Sequence, residues 1–102
     1  MTHELEKEFE SGELSKLFEV LADMHDPKEV GLFLRDILTR VELKETGRRL
    51  AVAKRLDDGQ TQRNIAADTG VRTATVSRVS TWLNHGTGGY GLALKRLKGP
   101  KP

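Results

Sequence analysis

A chain of 102 residues, 36% hydrophobic and 31% charged, supports one small domain over 1–102, and its net charge of +2 hides a division: residues 1–29 carry nine acidic and three basic side chains, residues 30–102 six and fourteen. With no cysteine, disulfides and thiolate zinc sites are excluded, and a reducing, cytoplasmic setting is expected. The acidic opening Met1-Thr2-His3-Glu4-Leu5-Glu6 lacks an apolar core, and no apolar run approaches the ~18 residues of a membrane span, so neither export nor membrane embedding is expected.

Helical periodicity runs through the whole chain, and alternating β-branched runs are missing, which predicts an all-α fold. Leu5, Phe9, Leu14, Leu17, Phe18 and Leu21 place an apolar stripe on a first helix. Asp26-Pro27-Lys28-Glu29 opens a second: aspartate caps free N–H groups, proline sits where no donor is needed, and glutamate can close a capping box. Val30, Phe33, Leu34, Ile37 and Leu38 form its apolar side. Thr39-Arg40-Val41-Glu42 repeats the box and starts a third helix, which carries Leu43, Leu50, Ala53 and Leu56 inward and stops at Asp57-Asp58-Gly59. These helices, within 1–58, present more apolar face than one short chain can cover, and dimerisation through them is expected.

Residues 61–84 carry the demands of a helix-turn-helix. Ala66 is small where two helices cross, Gly70 accepts the positive φ of a tight turn, and Ile65, Val71, Val76 and Val79 supply the shared seam. A second motif helix beginning at Thr73 puts Thr73, Ala74, Ser77 and Arg78 at the end that meets base edges in a major groove. Thr75 and Ser80 are then candidate phosphate contacts. Arg63, beside Gln62 on the first motif helix, has the planar fork that suits guanine O6 and N7. Across 59–102 only Asp68 opposes Arg63, Arg72, Arg78, Lys95, Arg96, Lys98 and Lys101, so this half favours a polyanion. After the break at His85-Gly86-Thr87-Gly88-Gly89, Tyr90, Leu94 and Leu97 predict a final helix over 89–98.

From about Phe33 to Leu97 the chain resembles the Trp repressor superfamily, in its YerC/YecD-like branch. The residues that carry the resemblance are Ile37-Leu38-Thr39, Arg49, Gly59, Gln62-Arg63, Ala74-Thr75-Val76-Ser77-Arg78 and the stretch Leu83 to Tyr90. It implies an intertwined, all-helical homodimer presenting two motif helices one duplex turn apart, ~34 Å. It also implies a candidate effector pocket: Thr39, Arg49 and Arg78 match the threonine and two arginines that hold the ligand in the tryptophan-sensing member. Val79 stands where that pocket has a glycine, and Trp82 where it has the serine that receives the ammonium group. Either Trp82 or its neighbours then occupy the cavity from within, leaving Arg49 and Arg78 free for phosphates or another anion, or Trp82 is an ordinary core residue; L-tryptophan is not expected as effector.

His3, His25 and His85 have no ligand-like spacing, so no metal site is expected. The run Gly86 to Gly91 follows a helix and lacks the Lys-Ser/Thr of a phosphate loop. No serine has a base alongside, and neither an enzyme nor a cofactor is expected. The sequence reads as a homodimeric regulator, a repressor, that binds double-stranded DNA. Two rivals are a protein-interaction module keeping the motif as scaffold, and an RNA-binding regulator, which narrow A-form major grooves disfavour.

Overall fold

The computed structural model describes residues 12–99; Leu5 and Phe9 of the first stripe, and Lys101, lie outside them. Six helices follow one another, with no strand among the described residues: α1 Gly12–Ala22, α2 Pro27–Ile37, α3 Arg40–Asp57, α4 Gln62–Thr69, α5 Thr73–His85 and α6 Gly89–Lys98. The chain divides into two compact units, one ending at Leu43 and one beginning at Lys44.

In the first unit, Asp26 is the N-cap of α2, its carboxylate accepting the Lys28 N–H at 2.6 Å with Pro27 in the first turn. Glu29 reaches back as the box requires, but one residue further, accepting the N–H of His25 at 3.4 Å. The box at α3 is complete: Thr39 Oγ1 accepts the Glu42 N–H at 3.1 Å, and Glu42 Oε1 accepts the Thr39 N–H at 2.8 Å. Such a cap contributes about 1 kcal/mol. No described residue before Val52 is buried. Leu14, Leu17, Leu21, Val30, Phe33, Leu34 and Leu38 are half-buried, whereas Phe18 and Ile37, expected on the apolar faces, are largely exposed, as are Val20, Leu32 and Val41.

The second unit holds the core. Val52 and Ala53 of α3, Ile65 of α4, Val76 and Val79 of α5 and Leu94 of α6 form one buried cluster, edged by Leu50, Leu56, Ala66, Val71, Leu83 and Tyr90. The predicted seam of Ile65, Val71, Val76 and Val79 is therefore the centre of the unit. On α5 and α6, Trp82 is 45% exposed, Leu92 59% and Leu97 56%. At about 100° per residue Trp82 lies roughly a quarter turn round α5 from the mean direction of Val76, Val79 and Leu83, so within one chain it is not a core residue.

The ends of the helices are fixed locally. Gly70 stops α4 at φ 74°, its N–H donating to Ala66 O at 3.0 Å. At the end of α5 the Gly86 N–H donates to Trp82 O at 2.9 Å, and a Cβ at Gly86 would collide with that same carbonyl oxygen. Asp57 pairs with Lys98, tying the end of α3 to the end of α6.

Candidate nucleic-acid interface

Helices α4 and α5 pack together across the three residues Gly70, Val71 and Arg72. Thr61 caps α4 by accepting the Asn64 N–H at 3.1 Å. The Thr69 hydroxyl closes the turn: it donates to Ile65 O at 2.6 Å and accepts the Val71 N–H at 3.2 Å. This clamp escaped the sequence reading, although a threonine immediately before a turn glycine was its signal. The result is a short first helix held at a fixed angle to a longer second one.

On α5, Val76, Val79 and Leu83 face the core, and Ala74, Ser77, Arg78 and Thr81 follow at helical spacing on the opposite, exposed side. Thr81 belongs to this face by its i+4 relation to Ser77, whose carbonyl its hydroxyl meets at 3.2 Å; it was missing from the expected contacts. Thr73 is exposed at the start of the helix, and Thr75 is half-buried at one flank. Ser80 is half-buried further along, with its Oγ 3.5 Å from Asn84 Nδ2. Gln62 and Arg63 are exposed on the first turn of α4, and Arg63 makes no ion pair among the described residues. The motif's one carboxylate, Asp68, lies 3.4 Å from Arg55 Nη1. The outward face is thus small, hydroxyl-rich and cationic.

A cleft of about 490 Å³ opens beside this face. Arg49 and Arg78, expected in the effector pocket, line it together with Arg72 and Thr75, expected at DNA, and with Arg48 and Glu45. Gly70 and Val71 supply its remaining surface. Neither Val79 nor Trp82 lines it: Val79 is 1% exposed in the core, and Trp82 does not fill the cleft. Thr39 serves as the cap of α3. Arg48 carries no sequence signal beyond its place beside Arg49.

Burial pushes the Tyr90 phenol above its ordinary value of 10.0, with the Arg49 charge pulling the other way. Tyr90 is the chain's one tyrosine, so phenolate absorbance reads it directly. We expect its midpoint above 10 in the native protein. A raised folded value means that the native state holds the proton longer than the unfolded chain. The stability Tyr90 contributes is complete below pH ~10 and is lost as pH rises through the native midpoint. A native midpoint at or below that of the urea-unfolded chain would contradict this.

Among the described residues no three His, Asp or Glu side chains are grouped to hold a metal ion, and no helix is long and apolar enough to cross a membrane. Three similarities bear on the interface. The family model described as Trp repressor protein matches residues 12–98. The uncharacterized protein YerC of Bacillus subtilis (strain 168) is 40% identical over 86 residues, covering 84% of this chain and 83% of that protein. The crystal structure of a TrpR-like protein from Eubacterium eligens superposes with a TM-score of 0.82 at 32% identity, over 94% of this chain and 99% of that one.

Proposed function

We propose, from the premise that this chain belongs to the Trp repressor family, that it is a homodimeric repressor which inserts α5 into the major groove of duplex DNA. The family is one of DNA-binding regulators. The observation that carries the finer reading is the exposed side of α5, where Ala74, Ser77 and Arg78 lie opposite the buried Val76 and Val79. Small side chains let the helix approach base edges, the hydroxyls of Thr73, Thr75, Ser77 and Ser80 suit phosphate and base acceptors, and Arg72 and Arg78 add charge. Gln62 and Arg63 extend the surface onto α4. Such a regulator works in the cytoplasm, and no catalytic step is assigned to it.

The test is selection of bound fragments from genomic DNA, followed by gel shifts at two salt concentrations. Enrichment of a two-fold symmetric site, with affinity falling as salt rises, supports the reading. Absence of duplex retention at low salt leaves the motif a scaffold in a protein-interaction module, and equal retention of duplex RNA favours the RNA rival. L-tryptophan added to the gel shift is expected to change nothing, because the cleft offers an indole a single apolar side chain, Val71.

The dimer rests on residues 12–43, none of which is buried, with Leu32 65%, Ile37 53% and Val41 66% exposed. Apolar surface of that extent is covered by a second copy through a two-fold interface. Sedimentation at micromolar concentration is expected to give a dimer. A stable monomer would remove the basis for paired half-sites.

A further inference from the structure

Packing alone does not set the angle between α4 and α5. Helix α4 is eight residues long, Ile65 is its one buried side chain, and Ala66 beside it is half-buried. A helix held at two adjacent positions can pivot about them. The turn that follows is pliable too: Gly70 has φ 74°, and no side chain caps the first turn of α5. Arg55 brackets α4, its Nη1 lying 3.2 Å from Gln60 Oε1 and 3.4 Å from Asp68 Oδ2. These are long contacts between exposed side chains and hold little.

Thr69 does what they do not. Its hydroxyl spans the join, donating to Ile65 O within α4 at 2.6 Å and accepting the Val71 N–H beyond the glycine at 3.2 Å. The ladder of α4 stops with Gly70, whose N–H donates to Ala66 O, so Val71 carries the first amide past it and Thr69 Oγ1 is its acceptor. One hydroxyl thereby holds the turn from both sides. The lever it controls is long: Arg63 precedes Gly70 by seven positions, about 10 Å along a helix rising roughly 1.5 Å per residue, so a pivot of ~10° at the turn carries the Arg63 backbone ~2 Å. A productive base contact tolerates about 0.5 Å. Phosphate contacts, made by flexible cations through longer-range charge, tolerate far more.

We propose that Thr69 is a positioning residue for sequence discrimination: its hydroxyl holds Arg63 of α4 and the exposed face of α5 in one fixed relation, so that a single DNA sequence satisfies both. The proposal rests on the DNA reading above. Thr69 stands outside the expected DNA contacts, and its effect reaches the duplex through the turn. Loss of the hydroxyl leaves the charge and the buried cluster of the motif intact, so binding persists while preference among sequences is lost.

Thr69→Val keeps the branched shape and the net charge and removes both hydrogen bonds, whereas Thr69→Ser keeps the hydroxyl and loses only the methyl. In gel shifts of the full-length protein, at a temperature where circular dichroism shows each variant folded, Thr69→Val is expected to bind the selected site about tenfold more weakly. Random duplex should lose less than about twofold, with the salt slope unchanged. Thr69→Ser should keep the parent's preference. Without DNA, exchange of the Val71 amide should quicken in Thr69→Val but not in Thr69→Ser, while Val76 and Val79 keep their rates. If Thr69→Val does not fold, Thr69→Ala takes its place, since alanine and serine differ by the hydroxyl alone. A threonine with a merely structural role would lower both affinities in step with the folded fraction. Equal losses on the two duplexes, an undiminished preference without the hydroxyl, or a Val71 amide that exchanges no more slowly in the parent would each overturn the proposal and leave the DNA reading standing. If the parent itself prefers no sequence over random duplex, the DNA reading falls and takes the proposal with it.

Discussion

Ile65→Ala is expected to lower the free energy of unfolding by about 2–5 kcal/mol, the usual range for removing a fully buried isoleucine's outer carbons. Ile65 is 0% exposed and sits on α4, which is eight residues long. Isolated helices under ~12–15 residues are marginal in water, so α4 persists because Ile65 anchors it to the α3–α5–α6 cluster. Urea titration at fixed protein concentration should move the midpoint to lower urea with little change in slope. Hydrogen exchange should accelerate first across 62–69. DNA binding should weaken as well, although Ile65 touches no solvent, because Arg63 rides on the helix that Ile65 holds. A loss under ~1 kcal/mol, or exchange no faster in α4 than elsewhere, would mean that the turn alone fixes that helix.

Arg63→Ala is expected to cost about 1–3 kcal/mol on the selected site and to relax preference at one base position, since a bidentate guanidinium contact carries sequence information. Its exposure on the first turn of α4, with no carboxylate partner, leaves the fork available. Random duplex should lose less. Equal losses on selected and random DNA would reassign Arg63 to the phosphate backbone. Lys95→Ala, on α6, is the control: it should weaken all sequences alike or have no effect, and fold stability should be unchanged in both variants.

What could be read from sequence follows the range of the interaction concerned. The caps at Asp26 and Thr39, the left-handed glycine at Gly70 and the start of α5 at Thr73 are decided within four or five residues, and the structure has each of them. The seam of Ile65, Val76 and Val79 was visible because helical spacing and a fixed turn determine which faces meet. Trp82 was open to two readings because apolar character gives no direction: it is on a helix that packs, but on its uncovered side. The cleft was legible only in part: the resemblance put Arg49 and Arg78 in one pocket, but not Arg48, Arg72 or Thr75 with them. Arg49 and Arg72 are 23 positions apart, and only the packing of α3 beside the turn brings them to one opening. Two groups of residues assigned to separate tasks therefore turned out to share a wall.

The collision built into Gly86 sets which glycines of the chain can be replaced. Every residue type but glycine brings a Cβ, and at 86 that atom meets a carbonyl of the same helix end, which cannot rotate away as a long side chain could. At Gly47 and Gly91 an added Cβ meets nothing within 4 Å. There a change to alanine would even favour the helix by about 0.5–1 kcal/mol. Within one chain alanine is accordingly tolerated at 47 and 91 but not at 86, and the glycine at the close of α5 marks where that helix must stop for α6 to begin.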